Sequence, residues 1–153
     1  MTEIIVASEQ DIPAIQNLWR EYWSSLGFAP CFQNFEEELR TLPGVYALPN
    51  GRLLLARVDG EYAGTAALRP LSAESCEAKR MYVQPRHRGK GLGKALLYRL
   101  IAEAQAAGYT EMFADTMQSM ASALQMYHQM GFEESTAYSA DPTPGALYLR
   151  LRL

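Results

Sequence analysis

Val83-Gln84-Pro85-Arg86-His87-Arg88-Gly89-Lys90-Gly91-Leu92-Gly93-Lys94 is the stretch that decides how this chain is read. A strand-like run, Cys76–Val83, enters it. A helical pattern over residues 91–107 leaves it, with Leu92, Leu96 and Leu100 in register. Between them stand three alternate glycines, Gly89, Gly91 and Gly93. Glycine lets a backbone turn tightly and lets a ligand approach it closely. The first turn of the next helix has free N–H groups and the positive end of the helix dipole. Strand, glycine turn and helix N-terminus together make a cradle for an anion such as a pyrophosphate. Arg88, Lys90 and Lys94 add positive charge around it.

The charge pattern points the same way. The chain has 153 residues and a formal net charge of −3. Residues 78–99 hold seven of its 14 Lys/Arg and no acid, whereas residues 1–77 hold 5 basic and 11 acidic residues. One positive site in an acidic chain suits a phosphate-bearing small ligand. A long nucleic acid would favour a basic face on the whole domain, so none is expected as a partner. Hydrophobic residues are 48% and charged residues 20%, which excludes a disordered chain. The length fits one domain over residues 1–153, burying roughly 68–70% of its unfolded surface. No apolar run approaches the roughly 18–20 residues of a membrane helix, and Met1-Thr2-Glu3 lacks the basic start of a signal peptide. Cys31 and Cys76 are the only cysteines, with no metal-ligand spacing. That pattern excludes a disulfide scaffold, predicts no metal and fits a reducing cytoplasm.

Working outward, Ile4–Ala7 is a first strand. Ser8, Asp11 and Pro13 mark the start of an amphipathic helix over residues 9–26, stopped by Gly27. Asn34 with Glu37 resembles a capping box before a short second helix that ends near Leu42-Pro43-Gly44. Leu53–Val58 and Tyr62–Arg69 flank Asp59-Gly60, a hairpin signal. After the glycine turn come a helix stopped by Gly108, a strand Glu111–Thr116, a helix Ser119–Met130 stopped by Gly131, and a strand Phe132–Tyr138. Leu147, Leu149, Leu151 and Leu153 alternate with Tyr148, Arg150 and Arg152, a final strand with one face buried. The order β-α-α-β-β-β-α-β-α-β-β predicts an α/β (α+β) layer domain, a mixed sheet with helices on both faces.

Three phosphate-binding patterns compete for the turn. The P-loop needs Gly-x-x-x-x-Gly-Lys-Ser/Thr, and the dinucleotide fingerprint needs G-x-G-x-x-G; neither is present. The third, Arg-x-x-Gly-x-Gly, is met by Arg88, Gly91 and Gly93. It resembles the coenzyme-A signature of the GNAT superfamily of acyl-CoA-dependent N-acetyltransferases. A second segment agrees, since Ala123-x-x-x-Tyr127-x-x-x-Gly131-Phe132 resembles the family's helix-plus-GF motif. The resemblance covers nearly the whole chain. It implies a mostly antiparallel sheet of about seven strands, splayed between strands 4 and 5. In that gap the pantetheine arm of acetyl-CoA, the co-substrate, would meet the backbone of Met81, Tyr82 and Val83. Backbone N–H groups of Arg88, Gly89, Lys90, Gly91, Leu92, Gly93 and Lys94 would hold the pyrophosphate. The implied reaction is acetyl transfer to a primary amine of a small molecule or peptide. Many members are dimers, which leaves a homodimer open.

Acyl transfer to an amine needs a neutral amine and a stabilised oxyanion. A lysine-like amine with a pKa near ~10.4 costs roughly 4.6 kcal/mol to deprotonate at pH 7, so a general base matters. Glu77 is the candidate, by its resemblance to the catalytic glutamate of histone-acetylating members. Strand alternation predicts Glu77, Lys79, Met81 and Val83 on one face. Tyr127 is the candidate acid for the leaving thiolate. Met120 stands where many members have Asn, with Ser119 or Ser122 as substitutes for the lost contact. That departure is the support for a rival reading, a non-catalytic acyl-CoA-binding regulatory module. Cys76 is rejected as a nucleophile because no His is paired with it by spacing. His87 and His128 are expected at the surface. Trp19, Tyr22, Trp23, Phe28, Phe32 and Phe35 are mostly core, with one or two, or Tyr138 beside Asp141–Gly145, lining an acceptor pocket. Glu36, Glu37 and Glu38 read as a dipole-favoured surface run.

Overall fold

A computed structural model describes residues 1–26, 35–117, 121–136 and 146–153. Gly27, Phe28, Cys31, Phe32, Asn34, Ser119, Met120, Tyr138 and the Asp141–Gly145 loop lie outside the described residues. The strands are β1 (Thr2–Val6), β2 (Arg52–Val58), β3 (Glu61–Pro70), β4 (Ser75–Val83), β5 (Glu111–Met117), β6 (Glu133–Ser135) and β7 (Ala146–Arg152). The helices are α1 (Ile12–Leu26), α2 (Phe35–Arg40), α3 (Leu92–Ala106) and α4 (Ala121–Gln129). Element order and type match the expectation from the sequence.

Local chemistry explains several boundaries. The Asp11 carboxylate accepts hydrogen bonds from the Ser8 backbone N–H and hydroxyl, at 2.9 and 3.1 Å. This closes a short 3-10 turn, Glu9–Asp11, ahead of α1. Asp59 and Gly60 have φ of +52° and +83°. Two positive-φ residues give the tight turn whose twist matches paired strands. β6 begins one residue later than predicted, with Phe132 buried in the core edge-on to Tyr127 at a ring-centroid distance of 5.1 Å, and Tyr138 at the predicted far end lies outside the described residues.

The seven strands run β1-β2-β3-β4-β5-β7-β6, and only β4–β5 is parallel. Each face carries its own core. Leu96, Leu97 and Leu100 of α3 and Tyr127 of α4 pack with Leu54, Leu68, Ala78 and Ala114. On the other face Ile15, Trp19 and Trp23 of α1 and Phe35 and Leu39 of α2 pack with Leu53, Leu55 and Ala67. Coverage on both faces explains why Leu53-Leu54-Leu55-Ala56 is apolar without alternation. Each fully buried leucine is worth about 1.5–3 kcal/mol relative to exposure.

Two irregularities in β4 shape the site. The β4–β5 ladder has four rungs, Ser75↔Glu111 to Ala78↔Ala114, after which the strands part. Opposite β3, Tyr82 pairs with Thr65 and Lys79 with Ala67, so Arg80 and Met81 share one partner position. This is a β-bulge, with Arg80 at φ +55°. The extra residue reverses the alternation. Glu77, Lys79 and Tyr82 face α1 and α2, whereas Met81 and Val83 face α3. The predicted single face for Glu77, Lys79, Met81 and Val83 is therefore corrected: the bulge divides it into two.

Candidate active site

Beyond Ala78, β4 still pairs with β3 on one side but, among the described residues, with no strand on the other. Its outward N–H and C=O groups have no ladder partner there, and such groups need one. That edge runs directly into the glycine turn and the N-terminus of α3. Together they line a cleft of about 890 Å³. Met81, Tyr82, Val83, Arg88, Gly89, Gly91, Leu92, Gly93 and Lys94 all line it, with Tyr22 of α1 and Ser122 of α4 opposite. Lys90 does not line it. Its ammonium acts on the β2–β3 turn, where it is the least of the influences favouring the ionised Asp59 carboxylate.

The turn's geometry suits an anion. Gly89 and Gly91 have φ of +77° and +78°, and a Cβ added at either would meet nothing within 4 Å. Glycine here serves the backbone conformation and leaves the chain bare toward open space. The first intrahelical bond of α3 runs from the Ala95 N–H to the Gly91 carbonyl. The N–H groups of Leu92, Gly93 and Lys94 therefore have no helical partner. Arg88 has a different task from the one expected of its charge alone. Its Nε donates to the Val83 carbonyl at 2.9 Å and its guanidinium lies 5.7 Å over the Tyr82 ring, closing the turn onto the strand.

The two expected catalytic side chains are not in the cleft lining: Glu77 lies on a β4–β5 rung opposite Phe113, and Tyr127 lies in the core on the α3 side. Glu77 is 3% exposed and accepts from Arg69 Nε at 2.7 Å. Tyr127 is buried, and burial raises its pKa well above the phenol range. The oxygens of Tyr22, Asp115 and Glu77 add to that rise. The phenol is therefore held protonated. Cys76 is fully buried, and burial with the nearby Glu77 charge pushes its thiol up to about 12. A thiolate nucleophile is disfavoured there.

The surface expectation for His87 is overturned, since it is 8% exposed and, among the described residues, neither ring nitrogen has a hydrogen-bond partner. The 3-10 turn Pro85–His87 folds it inward against the cleft wall. His128 is exposed as expected, with Nδ1 3.2 Å from the Phe132 carbonyl. Trp19, Trp23 and Phe35 are core, and Tyr22 lines the cleft. Glu38 is not a plain surface residue. It accepts from Arg80 Nε and Nη2 at 2.8 and 3.2 Å, and Arg80 lies over the Trp19, Trp23 and Phe35 rings.

Sequence reasoning singled out neither Lys79 nor Asp115 as a functional candidate. They stand one position past the last β4–β5 rung, on the α1–α2 face. Burial lowers the Lys79 pKa and raises that of Asp115, each opposing the other's shift. A usable signal existed. Asp115 ends the apolar run Met112-Phe113-Ala114, and an Asp is rarely buried unless paired.

Comparison with known proteins agrees with this geometry. The Acetyltransferase (GNAT) family model matches residues 12–132. An uncharacterized N-acetyltransferase of Schizosaccharomyces pombe is 34% identical over 146 residues, covering 94% of this chain and 90% of its own. A GNAT-family acetyltransferase structure from Staphylococcus aureus superposes with a TM-score of 0.84 at 18% identity, covering 99% of each chain. The Salmonella typhimurium protein yncA, solved with acetyl-CoA as its cofactor, superposes with a TM-score of 0.79 at 23% identity, covering 99% of this chain and 94% of its own.

Proposed function

The chain belongs to the GNAT acetyltransferase family, and from that premise we propose that it moves the acetyl group of acetyl-CoA to a primary amine of a small molecule or peptide by direct attack. One observation carries the reading. The unpaired edge of β4 past Ala78 leads without a break into the glycine turn at the N-terminus of α3, and both line one cleft.

The chain's own groups divide the work. N–H groups of the turn and the first α3 residues receive the pyrophosphate, helped by the helix dipole and Lys94. The free β4 edge at Met81, Tyr82 and Val83 hydrogen-bonds the pantetheine amides. An outward N–H of the bulged segment receives the charge that develops on the thioester oxygen. Glu77, held by Arg69, stabilises the acceptor ammonium and fixes the charge balance around it. Tyr127 stays protonated, so it donates a hydrogen bond to the leaving sulfur without itself ionising. Buried and unreactive, Cys76 takes no part, which fits attack by the amine on the thioester itself. A cytoplasmic setting and a small-molecule or peptide acceptor belong to this reading. The rival binding-module reading rests on Met120, and no observation on the described residues favours it.

The test is free-thiol release from acetyl-CoA against a panel of amines, amino acids and peptides. Release above the hydrolysis blank with one acceptor class supports the reading. Binding of acetyl-CoA with no release across the panel would favour the binding module.

A further inference from the structure

Six charged side chains gather on the α1–α2 face of the central strands: Arg69, Glu77, Lys79, Arg80, Asp115 and, from α2, Glu38. Two pairs are closed, Arg69–Glu77 at 2.7 Å and Arg80–Glu38 at 2.8 Å. Lys79 and Asp115 are the third cation and the third carboxylate. Among the described residues no ion pair joins them, and neither side chain has a hydrogen-bond partner on another residue. Their place in the fold is specific. Ala78↔Ala114 is the last β4–β5 rung, so Lys79 and Asp115 are the next two residues, where the strands part. The cleft's lining on β4 begins at Met81, two residues beyond Lys79, so the pair borders the cleft where the strands part.

We propose that Lys79 and Asp115 form the recognition pair for the acceptor, and that the acceptor is an amino acid with a free carboxylate beside its amine. Asp115 receives the ammonium and Lys79 the carboxylate. The inference rests on the acetyl-transfer reading above and names its substrate class. A half-buried charge that makes no hydrogen bond is costly, and a ligand bearing the complementary charges satisfies both at once. The burial shifts run in the direction this requires, since burial pushes each group toward its neutral form. A peptide amine remote from any carboxylate would leave Lys79 unmatched.

The pair also supplies a proton acceptor that Glu77, already held by Arg69, does not. Asp115 takes one proton from the ammonium and becomes a carboxylic acid. The freed nitrogen lone pair forms the N–C bond to the acetyl carbon as the C–S bond breaks and its electrons go to sulfur. The second amine proton ends on that sulfur, and Asp115 returns its proton to solvent.

The experiment follows thiol release by the wild-type chain with amino acids, their carboxamides and the matching decarboxylated amines. For at least one amino acid, kcat/KM should exceed that of its carboxamide by about 10–100-fold, the worth of one charge-assisted hydrogen bond. Lys79→Gln should bring that ratio near one through KM, and Lys79→Arg should restore part of it. Asp115→Asn should lower kcat by about 10²–10⁴ while acetyl-CoA still binds. Carboxamides or simple amines used as well as the amino acids would overturn the inference and leave acetyl transfer standing, as would an undiminished preference in Lys79→Gln. No release with any acceptor, with acetyl-CoA bound, would overturn both readings.

Discussion

Arg69 Nε donates to the Glu77 carboxylate across 2.7 Å, joining β3 to β4 beneath the point where β4 leaves β5. Glu77 is 3% exposed while the Arg69 side chain is 35% exposed, so the carboxylate is enclosed and its partner opens to solvent. In Glu77→Gln the amide oxygen can still accept from Arg69, so the fold should hold. Turnover should fall at least about tenfold with acetyl-CoA affinity unchanged. Equal turnover would remove Glu77 from the chemistry. Arg69→Met should instead remove this bond to the enclosed carboxylate and cost about 2–3 kcal/mol in denaturant unfolding, below the full buried-pair cost because Arg69 is partly solvated.

Gly91 caps α3 in the left-handed region, where an L side chain costs roughly 1–2 kcal/mol. Gly91→Ala should show that loss and also weaken acetyl-CoA binding in calorimetric titration. Gly108, also at positive φ but at the far end of α3, supplies the control. Gly108→Ala should lose comparable stability with no change in affinity.

Tyr127→Phe removes one hydroxyl from a buried ring that keeps its packing on Phe132. Thermal stability should change by less than about 1 kcal/mol, whereas kcat should fall about tenfold or more. Because burial raises the Tyr127 pKa, its donor form persists as pH rises. The wild-type rate should therefore show no loss from this group between about pH 7 and 10. A basic limb that disappears in Tyr127→Phe would contradict the assignment.

Cys76 should behave as an inert small hydrophobe. In a Cys31→Ser background, native protein should react negligibly with a thiol reagent at pH 8 and yield one thiol on unfolding. Cys76→Ala should keep acetyl transfer, with a stability loss of about 1 kcal/mol. Loss of turnover in a folded Cys76→Ala protein would point to a covalent route.

Glu103 joins α3 to β2, accepting from Arg52 Nε at 2.8 Å and from Arg99 Nε at 2.9 Å. The hydrogen bond from Arg52 is the largest cause holding its carboxylate below the usual range. A depressed folded-state pKa gives stability that is complete above the unfolded value near ~4.3 and is lost as pH falls through the folded one. Glu103→Gln should therefore be less stable at pH 7 by about 1–2 kcal/mol. The difference from wild type should shrink below about pH 4. A constant difference across pH would mean the loss is packing alone.

The fold was legible because its determinants are local. Asp59-Gly60, Ser8 with Asp11, and the glycine turn each carry their own geometry, and the leucines after Gly91 carry their period. The cradle was legible for the same reason, as glycines and charges adjacent in sequence stay adjacent in space. The charged cluster on the α1–α2 face was not. Glu38, Arg69, Lys79 and Asp115 come from four separate elements, and only the sheet order brings them together. The bulge at Arg80 has no glycine or proline to announce it, so period-2 reasoning carried Glu77 and Val83 to one face when the backbone had already switched. His87 follows a proline in a polar turn, where nothing in its neighbours signals that the ring folds inward.

The central claim is transfer from acetyl-CoA to an amine by direct attack, and initial rates of thiol release with both substrates varied test it most directly. The account predicts intersecting lines, with release at the hydrolysis blank when the amine is omitted. A burst of thiol without amine, followed by parallel lines, would contradict it.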